Sequence, residues 1–333
     1  MAGIRQHVLP KLLLRGFGSR TKGKEVYTWV NRAGGVPFET NIINVSVEKN
    51  FYDDETGSVD AGITDYESNF GILLDTLRKT EETGPIGDPR IPEFIAHLCI
   101  RTKHLRESFL GSIEFLAGQF NTYLSDFDNL KRLIRTRPKM LRKELNKSFP
   151  NNRLSQREQM RLMINAMEQS RSEMLSLSKV YMAALLAGLP GASKKGQIKA
   201  LAGGIVPEVR AKTYSIFNWF VCRSDRALIL GDMGTLFEIE GPRQFKSIDG
   251  KDDKITRIFL PFSASRLLVG TKPTTIPECD FANINRLTAK CSREYFISSK
   301  LDSEISELIP SIGGDAELLT KQELERIILN LIH

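Results

Sequence analysis

Five polar residues follow one another along the apolar segment 91–120: Glu93, His97, Arg101, His104 and Ser108. On a helix of 3.6 residues per turn their spacing puts them in one narrow band, about 90° from the middle of the apolar face. A band there lies at the edge of a core, half shielded from water. Two histidines around an arginine in such a place can bind an anion, hold a carboxylate or exchange protons. The spacing is not that of a zinc helix, which needs two histidines four apart with a carboxylate between them. The fixed charge of Arg101 also argues against a cation. The competing expectation is a solvated border beside a core stripe.

A second group is defined by charge. Segment 131–147 holds Lys131, Arg132, Arg135, Arg137, Lys139, Arg142, Lys143 and Lys147 against the single acid Glu144. The chain as a whole carries +7, so the basic character is local. A patch of this kind meets phosphate backbone, an anionic surface or an acidic partner. It contains no aromatic residue, which disfavours base stacking. His97, His104, Lys131, Arg132, Arg135 and Arg137 are therefore the expected substrate-binding residues.

Composition excludes several classes. Of 333 residues, 41% are hydrophobic and 26% charged, the balance of an ordinary globular chain. The four cysteines, Cys99, Cys222, Cys279 and Cys291, form no Cys-x-x-Cys pair, and the first residues do not read as a signal peptide. Reduced thiols and a cytoplasmic location are expected, with no membrane partner. There is no Gly-x-x-x-x-Gly-Lys-Ser/Thr loop, no Gly-x-Ser-x-Gly elbow and no zinc-spaced Cys/His set. No DNA-reading motif is visible, so any nucleic acid or nucleotide would be bound without sequence preference.

These residues need elements to position them. Segment 91–120 predicts one long helix with Ile91, Phe94, Leu98, Leu105, Phe109 and Leu116 inward. Ahead of it, 66–79 predicts a helix with Phe70, Leu73, Leu74 and Leu77 buried, and 84–92 a loop rich in proline and glycine. Segment 155–189 predicts a long helix ended by Pro190-Gly191. Strands are predicted at 24–30, 41–47, 214–222, 227–230, 235–239, 257–262, 266–269 and 294–298, with helices at 281–290 and 316–332. The fold class expected is α+β: a single domain of N-terminal strands (1–60), a helical middle (61–210) and C-terminal strands with a closing helix (211–333). The strands of both ends share one mostly antiparallel sheet packed against that middle.

An ordered set of short pieces then resembles a known family. His7-x-x-Pro10 with Leu13 and Phe17, Asn50-Phe51-Tyr52, Glu67, Arg101-Thr102 and Ser224-Asp225 occur in that order. They are followed by Leu260-Pro261-Phe262-Ser263, Asn283-Ile284-Asn285 and Tyr295-Phe296-Ile297-Ser298. Together they resemble the bacterial domain family DUF4238 over about residues 5 to 299. Where that family tends to follow Ser-Asp with Asn-Pro, this chain has Arg226-Ala227. The family name brings no activity, but the resemblance singles out His7, Glu67, Arg101 and Asp225.

As a catalytic set these four would cleave or transfer at phosphorus: His7 as acid or base, Arg101 as the fork for phosphate. Glu67 and Asp225 could share a divalent ion such as Mg²⁺ or Mn²⁺. The expected function is then a hydrolase or nuclease-like enzyme acting on a phosphodiester or nucleotide. The alternative is a non-enzymatic interaction module docking nucleic acid or an acidic partner through 131–147, with Arg101 paired and dry. Family-level analogy suggests a bacterial defence or stress operon as the setting for that alternative.

Overall fold

A computed structural model describes residues 5–52, 58–136, 154–320 and 322–326. The chain divides into two compact units, residues 1–108 with 194–318, and residues 109–193 with 319–333. Each has its own packing, where the sequence was read as one domain with three segments.

The first unit contains three antiparallel sheets. The smallest pairs β1 (Arg5–His7) with β5 (Val47–Lys49). A five-stranded sheet contains β2 (Arg20–Lys22), β3 (Glu25–Arg32), β4 (Phe38–Asn41), β13 (Tyr295–Ser298) and β8 (Ile229–Gly231). In it β3 pairs with β4 on one side and with β2 and then β13 on the other, with Val30 opposite Ile297. Strands from both ends of the chain thus share an antiparallel sheet. Buried polar groups fix the junction: the Thr28 hydroxyl donates to the carbonyls of Phe17 and Ser298, and Asn31 Nδ2 to Ser298 Oγ at 3.0 Å.

The third sheet has six strands in the order β10 (Phe245–Lys246), β9 (Leu236–Ile239), β11 (Ile255–Ser263), β12 (Arg266–Thr271), β7 (Asn218–Arg223) and β6 (Gly84–Ile86). The expected loop at 84–92 therefore begins as an edge strand, and its Pro85 suits an edge because it has no N–H to give. Pro261 lies within β11, past the last β9 pair at Phe259 and beside a shift of register at 261–263. That irregularity is what lets a proline sit inside the sheet.

Helices α1 (Lys11–Leu14), α2 (Ser58–Lys79), α3 (Arg90–Arg101), the start of α4 (Lys103–Leu124) and α8 (Glu208–Tyr214) belong to this unit. So do α9 (Phe281–Cys291) and α10 (Ser303–Ser306). Phe70 of α2 stacks on Phe94 of α3 with ring centroids 3.8 Å apart and planes 10° from parallel. That contact packs the two apolar stripes face to face. The predicted helix 91–120 is two helices. Thr102 between them is extended (φ −70°, ψ 140°), and its hydroxyl oxygen accepts from Leu105 N–H, so it caps α4 rather than continuing α3.

The second unit is helical. It holds most of α4, then α5 (Phe127–Thr136), α6 (Gln156–Gln169) and most of α7 (Arg171–Gly203), with 322–326 also helical. The expected single helix at 155–189 is broken at Ser170, and its end at Pro190 does not occur: α7 runs through Pro190. Proline there forfeits one hydrogen bond but does not stop the winding. Ser155 and Glu158 form a reciprocal capping box that fixes where α6 begins. Lys131 of α5 pairs with Glu168 of α6. The Lys131 ammonium and the Arg171 guanidinium both lie over the buried ring of Phe127. No helix among the described residues is long and apolar enough to cross a membrane.

Gly16 is where the N-terminal turn meets β11. A β-carbon there would lie 2.2 Å from the Phe262 carbonyl oxygen, and Ala264 N–H donates to the Gly16 carbonyl at 2.9 Å. Both neighbours are backbone, so the close approach requires glycine. Gly16→Ala is expected to lower the stability of the first unit by about 2 kcal/mol, read as a lower urea midpoint in hydrogen exchange of β11. An unchanged midpoint would contradict this packing.

Candidate functional site

Glu67 lies on α2 one turn before Phe70, and the Phe70–Phe94 stack therefore brings it to the end of α3. On α3, His97 and Arg101 are four residues apart and share a face. Arg101 is the last residue of that helix and only 2% exposed. Its position makes it meet three other segments at once.

The guanidinium is nearly saturated. Nε donates to the Tyr52 hydroxyl at 3.0 Å, and one terminal nitrogen donates to the His7 carbonyl at 2.5 Å. The other donates to His97 Nε2 at 3.1 Å and pairs with the Glu67 carboxylate. Tyr52 in turn donates its hydroxyl proton to the Arg101 carbonyl at 3.4 Å. Gln197 Nε2 donates to the carbonyls of Ile100 and Thr102. The carbonyls left bare where α3 stops are thus taken by side chains distant in sequence.

His97 is held in one tautomer. Its Nδ1 lies 2.9 Å from the Ile205 carbonyl and must carry the proton; its Nε2 accepts from Arg101. Burial drives its pKa down to about 4, against the Ile205 hydrogen bond, which favours the charged form. A second proton would also remove the acceptor that Arg101 uses. His7 supplies a main-chain carbonyl to this cluster. Its ring is likewise lowered to about 4, by burial and then by the charges of Lys11 and Arg101, against a Val45 backbone hydrogen bond, and its Nδ1 is buried with no partner among the described residues.

The structure therefore brings together Arg101, Glu67, His97 and the His7 backbone. Asp225 is elsewhere. It is exposed in the turn after β7, where Ser224 accepts from Arg226 N–H, and it makes no hydrogen bond or ion pair with a described residue. Among the described residues no group of three or more His, Cys, Asp or Glu is placed to hold a metal ion. The break at Thr102 separates His104 from the His97–Arg101 face. His104 instead contacts Ser108 at 3.1 Å, and burial, then the charge of Arg293, lowers its pKa to about 4.

In the helical unit Lys131 is paired with Glu168 and Asp128, while Arg132 and Arg135 are exposed on α5. Arg137 and the rest of the basic run lie outside the described residues. Sequence reading missed Tyr52 as a partner of Arg101, and Gln197 altogether. Tyr52 follows Asn50, whose φ of +54° is a left-handed conformation that asparagine tolerates, but nothing in the sequence names its partner.

The first unit thus defines an α+β protein with antiparallel sheets and a buried arginine cluster that ties the N-terminal strand to two helices. The sequence profile of DUF4238, described as a protein of unknown function, matches residues 5–302, and the chain belongs to that family. No curated protein and no solved structure matches it.

Two outcomes follow from the cluster. Arg101→Met leaves Glu67 and the His7 carbonyl without their donor, and a loss of roughly 3–5 kcal/mol is expected. Arg101→Lys should recover little of it, because an ammonium cannot reproduce the planar fork. Equal unfolding midpoints for wild type and Arg101→Lys would refute this. The second outcome concerns pH. The folded pKa values of His97 and His104 are lowered. Their contribution is therefore complete above the unfolded value near 6.5 and is lost as pH falls through about 4, by roughly 3 kcal/mol each. Asp232 acts in the opposite sense. Burial raises it to about 6, so its contribution declines as pH rises through that value. Stability should still fall on acidification from pH 6.5 to 4, and His97→Gln should flatten that slope.

Proposed function

We propose that this protein binds a polyanion, nucleic acid without sequence preference, through its helical unit, and acts as a non-enzymatic interaction module. The observation that carries this reading is the distribution of charge. The unit formed by 109–193 and 319–333 contains 15 lysines and arginines against 9 aspartates and glutamates, so it holds +6 of the chain's +7. The larger unit is close to neutral. Arg132 and Arg135 on α5, Arg157 and Arg161 on α6, and Arg171 and Lys179 on α7 are all exposed. Exposed cations on helices neutralise phosphates and release counterions, which requires no base contact.

The arginine cluster supports the same choice. A phosphoryl-transfer site needs an arginine with donors free toward a substrate in a hollow. Arg101 instead spends its donors on Tyr52, His7, His97 and Glu67. Its role in this reading is to clamp β1 and α2 against α3.

Binding to labelled duplex DNA and RNA across a salt series tests the proposal. Affinity should fall linearly with the logarithm of salt concentration, and Arg132→Glu with Arg135→Glu should reduce the slope by about 2. No cleavage is expected with Mg²⁺ or Mn²⁺. Absence of binding, or an unchanged slope in the double variant, would remove the proposal. Cleavage abolished by Asp225→Ala would restore the enzyme reading.

A further inference from the structure

The first unit has a cleft of about 200 Å³ where β5, the first turn of α4 and the β8–β13 junction meet. Its walls carry Arg32, Lys103, Glu107, Asp232, Arg293 and Glu294. Two of the cations are already shared between two of the acids. Lys103 is 3.3 Å from Glu107 and 3.2 Å from Glu294, and Arg293 is 3.0 Å from Glu107. Glu48 also lines the cleft and is paired with Arg106 at 2.7 Å.

Two charges are left over. The Asp232 carboxylate accepts from the backbone N–H groups of Arg293, Glu294 and Tyr295 and is in no ion pair with a cation among the described residues. Arg32 has no ion pair among the described residues; its guanidinium lies over the Phe38 ring at 5.4 Å. The lining therefore carries one carboxylate and one guanidinium outside any ion pair among the described residues, while the cleft as a whole is balanced. Ser46 lies in the same lining with φ +53°, a left-handed backbone that a non-glycine residue rarely adopts, and its carbonyl and hydroxyl accept from the Val8 and Leu9 N–H groups.

We propose that this cleft binds a small zwitterion of the α-amino-acid class, with its carboxylate on Arg32 and its ammonium against Glu107, Asp232 and Glu294. Size points the same way. A volume of about 200 Å³ has room for a ligand between glycine and threonine in size. A simple anion would satisfy Arg32 alone and a simple amine only the acidic wall; a molecule carrying both charges satisfies the two at once.

Calorimetric titration of the intact protein with alanine, serine and threonine tests this, with alaninamide and N-acetylalanine as controls lacking one charge each. Saturable binding of at least one free amino acid is expected, with either control weaker by at least about tenfold. Arg32→Gln, on an exposed side chain, should weaken binding by a similar factor while the unfolding midpoint stays that of the wild type. The proposal is overturned if no amino acid binds up to millimolar concentration, if a singly charged control binds as well, or if Arg32→Gln binds like the wild type.

Discussion

A guanidinium cannot shed its charge at any pH a protein meets, so burying one obliges the surrounding chain to supply acceptors. Arg101 imposes that obligation on this fold. Its donors reach a carbonyl in the first strand, a hydroxyl just beyond the second segment of that small sheet, a carboxylate on α2 and an imidazole on its own helix. Three pieces of chain remote in sequence are fixed to α3 by one side chain. The neutral tautomer of His97 is a consequence, since only an unprotonated Nε2 can accept from Arg101 while Nδ1 serves Ile205.

The same constraint shapes the backbone. Helix α3 ends at the residue that the cluster needs, and the polypeptide turns there because Thr102 is a better cap than a helical interior residue. The carbonyls exposed by that break are covered by Tyr52 and Gln197. Had the helix run on unbroken, His104 would have shared a face with Arg101. The break turns it instead toward Ser108 and the charged cleft. Polar side chains that align on a helical wheel therefore serve two different places.

The two units differ in charge as well as in packing. The larger one is close to electrically balanced and settles most of its charges internally, by ion pairs such as Arg106–Glu48 and Arg210–Asp249. The helical one carries an excess of cations on its exposed faces. In the proposed readings, long-range attraction of an anionic partner would fall to the second, and recognition of a small ligand to the first, where charges of both signs line a narrow cleft.

Much of the fold could be read from the amino acids alone. Alternation and β-branched content located β3, β7, β9, β11, β12 and β13 to within a few residues, and apolar spacing located α2, α3 and α9, because burial of one face imposes its period on the sequence. The pairing of N-terminal with C-terminal strands followed from the economy of layers. The break at Thr102, the passage of α7 through Pro190 and the partition into two units were not legible. Each depends on which distant groups cover a carbonyl or an apolar patch, and local propensity is too weak to overrule that. Among the candidate residues, a paired Arg101 was readable only as the alternative to a catalytic one, since a buried arginine must find acids and acceptors; the structure pairs it with Glu67. Tyr52, Gln197 and the carbonyl of His7 entered only with the tertiary structure, because a hydroxyl, an amide and a main-chain oxygen carry no signal of their partner until folding brings it within 3 Å or so.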